Sequence, residues 1–173
     1  MGVEGVSMEF LDEAFRLAEE SLENNEVPVG CVFVYGGKIV GRGRNDVNRT
    51  KNPTRHAEMV AFDELREWCE KEGKQLDEVL SETELYVSLE PCIMCGSAMY
   101  QLKIKRIVYG ASNERFGGID SVAGKEKYSA DHRIEIVRGI MKDRAIQLLK
   151  DFYDRQNPFA PPEKRKVKRN AIV

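Results

Sequence analysis

Two short segments decide the fold prediction: His56-Ala57-Glu58, and Pro91-Cys92-Ile93-Met94-Cys95 further along the chain. Each lies where a helix is predicted to begin, the first near Thr54 and the second at its own proline. Cys92 and Cys95 are three residues apart, which places both thiols on one face of a first helical turn. A helix N-terminus lowers the pKa of a thiol, and the thiolate is the form that binds metal. The sequence therefore predicts two helix ends that meet at one metal site, with His56, Cys92 and Cys95 as ligands.

The chemistry of this predicted site depends on the number of its ligands. Three protein ligands leave a tetrahedral zinc ion one open position for water, which is typical of a catalytic site. Zinc lowers the pKa of such a water toward ~7, so that it becomes a nucleophile at neutral pH. Glu58 is two residues from His56 and reaches the same site if the helix end itself points at the metal. We expect Glu58 to be the proton shuttle and not a ligand.

A structural zinc site is the alternative, and it would need a fourth ligand. The remaining candidates are Cys31, Cys69 and His132. Cys31 falls in an apolar strand and Cys69 on a helix face, where a thiol is more simply a core residue. His132 falls in a polar loop, where we expect it to be solvated.

The pattern outside these segments alternates strands and helices. Helices are predicted over 8–24 (capped by Ser7), 54–72, 92–102 and 141–152, and strands over 29–35, 38–43, 85–89, 104–109 and 134–137. Gly36-Gly37 is predicted as a hairpin turn, Gly73 as a helix stop, and residues 45–54 and 113–124 as loops. This alternation favours a three-layer α/β domain around a central sheet.

Length and composition set the class of protein. A chain of 173 residues fits one domain with its own core. The longest apolar run, 29–35, is far below the ~20 residues of a membrane span, so we expect no membrane association. The N-terminus lacks a secretory signal, which predicts an intracellular protein, in the cytoplasm, the nucleus or both, with reduced thiols.

Charge is distributed unevenly along the chain. Six of the 27 basic side chains but only one of the 29 acidic ones lie in residues 155–173, which gives this end +5 and the other 154 residues −7. We therefore divide the chain into a zinc-dependent domain, 1–157, and a Pro-rich basic tail, 158–173. The tail is predicted either to bind RNA or to act as a nuclear import signal through its basic residues Lys164, Arg165, Lys166, Lys168 and Arg169.

Several motifs together carry a family resemblance over about residues 8–160. His-x-Glu followed by Pro-Cys-x-x-Cys is the signature of the zinc deaminases as a whole. The narrower resemblance rests on the strings Glu26-Val27-Pro28-Val29-Gly30-Cys31, Glu90-Pro91-Cys92-Ile93-Met94-Cys95 and Asn113-Glu114-Arg115-Phe116-Gly117-Gly118. On these residues the sequence resembles the tRNA adenosine deaminases, in particular the catalytic subunits of the eukaryotic wobble-adenosine enzymes.

The resemblance implies a fold, an activity and partners. The fold would be cytidine-deaminase-like, with a five-stranded mixed sheet flanked by helices. The activity would be hydrolytic deamination of adenosine to inosine at the first anticodon position of tRNA, with Zn²⁺ as cofactor. The partners would be the tRNA anticodon loop and, in a heterodimer, a related subunit that has lost the catalytic glutamate. Because Glu58 is present, this chain would be the active member.

Contacts with the substrate are also expected, of which the first, from Asn45, is implied by the resemblance. Asn45 would hydrogen-bond the nucleoside, although an Asn after a strand is ordinarily a turn or cap residue. Val29 would line the base pocket, or else be a simple core residue. Arg115 and Phe116 would hold RNA by charge and stacking, or else anchor their loop.

Two other functions remain open at this point. A small-molecule cytidine or deoxycytidylate deaminase shares the zinc site, and zinc chemistry alone does not separate C4 of cytosine from C6 of adenine. A deaminase-like scaffold that only binds RNA is the second alternative, and the presence of Glu58 argues against it.

Overall fold

The computed structural model describes residues 5–128 and 131–155. The predicted boundary at 157/158 and the basic residues of the tail, Lys164, Arg165, Lys166, Lys168 and Arg169, lie outside the described residues.

Five strands of the described residues form one mixed sheet in the order β2-β1-β3-β4-β5. The strands are β1 Gly30–Tyr35, β2 Lys38–Arg44, β3 Glu84–Leu89, β4 Arg106–Ala111 and β5 Glu135–Arg138. β1 pairs antiparallel with both β2 and β3, whereas β4 and β5 continue parallel to β3. The helices are α1 Met8–Glu23, α2 Val47–Thr50, α3 Ala57–Glu72, α4 Leu76–Ser81, α5 Ile93–Gln101 and α6 Lys142–Asp154.

Two hydrophobic clusters cover the two faces of this sheet. Alternate residues of β1 separate them: Phe33 belongs to the cluster that contains Leu65 of α3 and Met99 of α5. Val32 belongs to the cluster that contains Phe15 of α1 and Leu148 of α6. Because side chains of a strand alternate between faces, both sides of the sheet bury apolar surface under helices. The predicted three-layer α/β architecture is confirmed.

The glycine turns agree with their predictions. Gly36 and Gly37 both have positive φ, +55° and +73°, as a two-residue hairpin of the primed type requires. Gly73 ends α3 in the left-handed conformation.

Other elements differ from the sequence predictions. α2 lies within the loop predicted over 45–54, and α4 lies in residues 74–84, for which no element was predicted. Both helices are short, four and six residues, which explains why periodicity did not indicate them. β4 begins two residues later than predicted. Lys103 adopts a positive φ of 56° after α5, and Ile104 is buried in the core cluster before the chain begins to pair with β3. Ser7 stands at the N-cap of α1, but its side chain makes no capping hydrogen bond. None of the helices among the described residues combines the length and the apolar character needed to cross a membrane.

Glycines of β2 set the position of α3 on the sheet. A Cβ at Gly43 would overlap the carbonyl oxygen of Ala57, and one at Gly41 would overlap that of Ala61. The backbone of α3 therefore lies directly on β2, with no side chain between them. Since Ala57 stands between His56 and Glu58, this contact also positions the start of α3, which carries the side chains of His56 and Glu58.

Gly43→Ala is expected to destabilise the protein by about 1–3 kcal/mol, because the added methyl group must push α3 away from β2. The free energy of unfolding in urea measures the effect. Gly36→Asn is the matched control, since a Cβ there meets no atom within 4 Å and Asn tolerates the φ of +55°. A Gly43→Ala protein as stable as the wild type would show that α3 does not rest on β2 in this way.

Candidate metal centre and active site

Two helix N-termini meet at the candidate metal centre. His56 is the N-cap residue of α3 and Cys92 is the N-cap residue of α5, and both have extended backbone conformations. Cys95 lies in the first turn of α5 and is fully buried. The structure therefore brings together the three residues that the sequence predicted as ligands.

The distances among these groups fit zinc. The Nδ1 atom of His56 lies 3.4 Å from the Sγ atom of Cys92 and 3.7 Å from that of Cys95. In a tetrahedral site, bonds of about 2.3 Å to sulfur and about 2.0–2.1 Å to nitrogen require a sulfur–nitrogen separation of about 3.6 Å. All three candidate ligand atoms lie within 4.8 Å of one another. One imidazole and two thiols are also a donor set that zinc takes.

The same groups compete for protons. The pKa of Cys92 falls to about 4, because Cys95 donates a hydrogen bond to its sulfur and this outweighs burial, with further help from His56. The pKa of Cys95 is raised, since it is the donor in that hydrogen bond and is buried. The pKa of His56 is raised by its hydrogen bond to Cys92, against the opposing effect of burial. A thiolate beside an imidazole at a helix N-terminus is well suited to attract a divalent cation.

Glu58 lies beside this cluster in a different environment. Its side chain is 3% exposed, and burial is the main cause that raises the pKa of its carboxyl, followed by the charge of the Cys92 thiolate. The Glu58 carboxylate also interacts with Cys95, so the carboxylate lies next to the ligand group. A buried carboxyl with a raised pKa can hold and release a proton near neutral pH.

No fourth ligand candidate joins His56, Cys92 and Cys95 within residues 5–128 and 131–155. Cys31 and Cys69 both belong to the core cluster, as predicted for simple core thiols. The expectation of a solvated His132 is wrong: the ring is half-buried, and its Nε2 lies 2.8 Å from the carbonyl oxygen of Ile104. This three-ligand arrangement does not supply what a structural zinc site needs.

Asn45 joins the site through its backbone and its side chain. Its Oδ1 accepts a hydrogen bond of 2.9 Å from the backbone N–H of Ala57, the first residue of α3. Its own N–H donates to the carbonyl oxygen of Val29 over 3.1 Å. Asn45 thus holds the start of α3, and any hydrogen bond from its side chain to a ligand must come from the Nδ2 donor. Val29 is 8% exposed and packs in the core cluster.

Residues 113–121 form a loop against the start of α5, which we call the Phe116 loop. The N–H of Ile93 donates to the carbonyl oxygen of Phe116, and the N–H of Gly118 donates to that of Pro91, each over 2.8 Å. The Phe116 side chain is 54% exposed, and the guanidinium of Arg115 lies 5.1 Å from the centre of its ring. The exposed pair is therefore attached by backbone hydrogen bonds to the residues that flank Cys92.

The sequence reasoning missed one residue of this region, Glu90. Its side chain is 1% exposed, and its carboxylate accepts hydrogen bonds from the Phe116 loop. Its position directly before Pro91 and Cys92 was the available signal, but an acidic residue in a motif does not by itself indicate burial.

Comparison with known proteins agrees with this geometry. The family profile of the cytidine and deoxycytidylate deaminase zinc-binding region matches residues 6–111. The chain is 47% identical over 162 residues to tRNA-specific adenosine deaminase 2 of Xenopus laevis, covering 92% of this chain and 93% of the relative. It is 37% identical to the tRNA-specific adenosine deaminase of Streptococcus pyogenes serotype M1, covering 83% of this chain and 81% of the relative.

A solved structure supports the same assignment. A protein from a study of A-to-I editing by tRNA:A34 deaminases at the wobble position of transfer RNA superposes with a TM-score of 0.71 at 29% identity. The match covers 83% of this chain and all of the other. Together with the His, Cys, Cys and Glu arrangement, these likenesses show that the chain belongs to the tRNA-specific adenosine deaminases, within the cytidine and deoxycytidylate deaminase zinc-binding family.

Proposed function

We propose that this chain converts adenosine to inosine at the first anticodon position of tRNA by hydrolytic deamination. One observation carries the proposal: three metal-ligand candidates lie beside a buried carboxyl with a raised pKa, in a chain with close likeness to tRNA-specific adenosine deaminases. The overall reaction consumes one water and releases ammonia as the exocyclic amine of adenine is replaced by oxygen.

The proposed ligands of Zn²⁺ are Nδ1 of His56 and the sulfurs of Cys92 and Cys95. Zinc supplies a Lewis acid that makes water a nucleophile at neutral pH. The ligands divide between two helices, since His56 precedes α3 whereas both cysteines belong to the start of α5. The relative position of α3 and α5 therefore sets the geometry of the site.

Glu58 moves the protons in this proposal. Its carboxylate takes a proton from the attacking water and delivers a proton to the adjacent ring nitrogen of adenine. It then takes the remaining proton from the added hydroxyl group and passes it to the exocyclic amine, which leaves as ammonia when the bond from carbon to that nitrogen breaks. Burial favours the neutral acid at the stage where Glu58 holds the proton, because it raises the pKa of the carboxyl.

The substrate contacts follow from the same geometry. Asn45 Nδ2 is the free end of an amide whose oxygen is already used by Ala57, so we propose that it donates to an acceptor of the nucleoside. Val29 is proposed to line the base pocket. Arg115 and Phe116 are proposed to contact unpaired bases of the anticodon loop, which proteins commonly recognise on aromatic and guanidinium planes.

The remaining proposals concern the assembly. A related subunit without the catalytic glutamate is the proposed heterodimer partner, and the cytoplasm, the nucleus or both are the proposed locations. The tail residues Lys164, Arg165, Lys166, Lys168 and Arg169 are proposed to attract tRNA, because residues 1–154 are net negative and by themselves repel a polyanion.

Replacing Glu58 by Ala should leave zinc bound and remove turnover, because Glu58 is proposed to carry protons and not to bind metal. General acid–base catalysis contributes roughly 10²–10⁴-fold, so the single-turnover rate should fall at least that far. Cys92→Ala is the matched comparison and should lose the zinc itself. Metal analysis and single-turnover rates measure both variants. Near wild-type turnover in Glu58→Ala, or full zinc content in Cys92→Ala, would contradict the assigned roles.

The substrate is tested by inosine formation in an anticodon stem-loop, measured for this chain with and without the related subunit. Free adenosine and free cytidine are expected to be poor substrates, because the binding energy of the RNA is lost. Rapid turnover of free cytidine or deoxycytidylate with none on tRNA would instead identify a small-molecule deaminase.

Deletion of residues 163–173 should weaken tRNA binding and flatten its dependence on salt. A chain that makes fewer phosphate contacts releases fewer counterions when it binds. Zinc content and the single-turnover rate at saturating RNA should stay near wild type. Binding measured over a salt series in the assembled enzyme decides the point. An unchanged affinity and slope would remove RNA binding as the role of the tail.

A further inference from the structure

Glu90 has an unusual concentration of hydrogen-bond donors around a buried carboxylate. Its Oε1 accepts from the backbone N–H groups of Ile119, Asp120 and Ser121 over 3.2, 2.8 and 2.9 Å. Its Oε2 accepts from the N–H of Asn113 over 2.8 Å and from the hydroxyl of Ser121. These donors come from both ends of the Phe116 loop. The carboxylate therefore closes this loop from within.

The chemistry of the side chain suits this task. A carboxylate only accepts hydrogen bonds, and two oxygens can receive the five donors that converge here. A glutamine of nearly the same shape would turn an N–H₂ group toward donors of the loop. Burying a carboxylate that has no hydrogen-bond donors around it costs a large free energy. The five donors around Glu90 offset this cost.

The loop has little freedom to adopt another shape around Glu90. A Cβ at Gly117 would lie 2.5 Å from the Glu90 carboxylate, and one at Gly118 would lie 2.6 Å from the carbonyl oxygen of Cys92. On the far side, the Asp120 carboxylate accepts a hydrogen bond of 2.8 Å from the hydroxyl of Tyr109 and lies 3.2 Å from the guanidinium of Arg138. The loop is thus fixed between α5, β4 and β5.

The exposed part of the loop lies between these anchors. The side chains of Arg115 and Phe116 are exposed there. The carbonyl oxygen of Phe116 accepts a hydrogen bond from the N–H of Ile93 at the start of α5. We infer that Glu90 is a positioning residue for the RNA substrate: it fixes the Phe116 loop so that the Arg115–Phe116 pair forms a stacking platform for an unpaired base beside the metal centre. This inference rests on the proposed function.

Glu90→Gln should raise the KM for an anticodon stem-loop about tenfold, the size of one lost stacking contact, while kcat falls less than threefold. The sign of the effect is informative. Glu90→Gln removes a negative charge near a polyanion, so electrostatics alone would lower KM. The matched control is Glu114→Gln, which removes the same charge from an exposed position in the same loop and should leave KM equal or lower.

A double-mutant cycle with Phe116→Ala separates positioning from general structural damage. If Glu90 acts through the platform, Glu90→Gln should add little to KM once the Phe116 ring has been removed. Zinc content and the thermal midpoint are measured for every variant. Ser121→Ala removes one of the five hydrogen bonds and should raise KM by a smaller factor. It replaces Glu90→Gln as the test variant if Glu90→Gln does not fold.

The outcomes distinguish this inference from the proposed function. If the wild-type chain forms no inosine with or without the related subunit, the proposed function fails. If the wild type is active but KM is unchanged in Glu90→Gln and Ser121→Ala, the positioning role fails and the proposed function stands. Equal effects of Glu90→Gln with and without the Phe116 ring, or a loss confined to kcat, would also overturn the positioning role.

Discussion

The contact between Nδ1 of His56 and Sγ of Cys92, 3.4 Å long, joins the N-termini of two helices that are 36 residues apart in sequence. This contact depends on how the starts of both helices pack. α3 reaches this point because Gly41 and Gly43 let its backbone lie on β2, and α5 because Gly118 lies against the backbone of Cys92 and Ile93. The start of α5 favours the thiolate form that a metal needs, because the backbone of Cys95 and the imidazole of His56 both lower the pKa of Cys92.

Three buried glutamates around the site show how environment decides the role of one residue type. Glu26 accepts hydrogen bonds from the backbone N–H groups of Asn48 and Arg49, and so holds the segment that leads to His56. For Glu90, burial acts to raise the pKa, but the Ser121 hydroxyl and the N–H groups of the Phe116 loop outweigh it and the pKa is lowered. Glu58 has no comparable set of donors, and its pKa is raised. Glu26 and Glu90 therefore hold loops, whereas Glu58 is suited to exchange protons.

The sequence predicted the local parts of this structure better than the parts that depend on distant contacts. The grouping of His56, Cys92 and Cys95 was predictable because the two cysteines are related by one helical turn and because His56 belongs to a recurring motif. The three layers were predictable from strand and helix periodicity. The short helix α4 was not, because its six residues, Leu76–Ser81, are too few to show a helical period between two stronger elements. The burial of Glu90 and the hydrogen bond of His132 to Ile104 arise from chain segments that meet only in the folded state.

The strand order also has a consequence for the nascent chain. All three proposed ligands are present once synthesis has passed Cys95, yet β3, the middle strand of the sheet, then has β1 on one side and an open edge on the other. β4 arrives to cover that edge only from Arg106 onward, and the Phe116 loop follows it. An open central edge favours aggregation, and free thiols are open to oxidation. Metal captured at this stage would protect both thiols and tie α3 to α5 before the sheet is complete, and it would thereby couple zinc supply to productive folding.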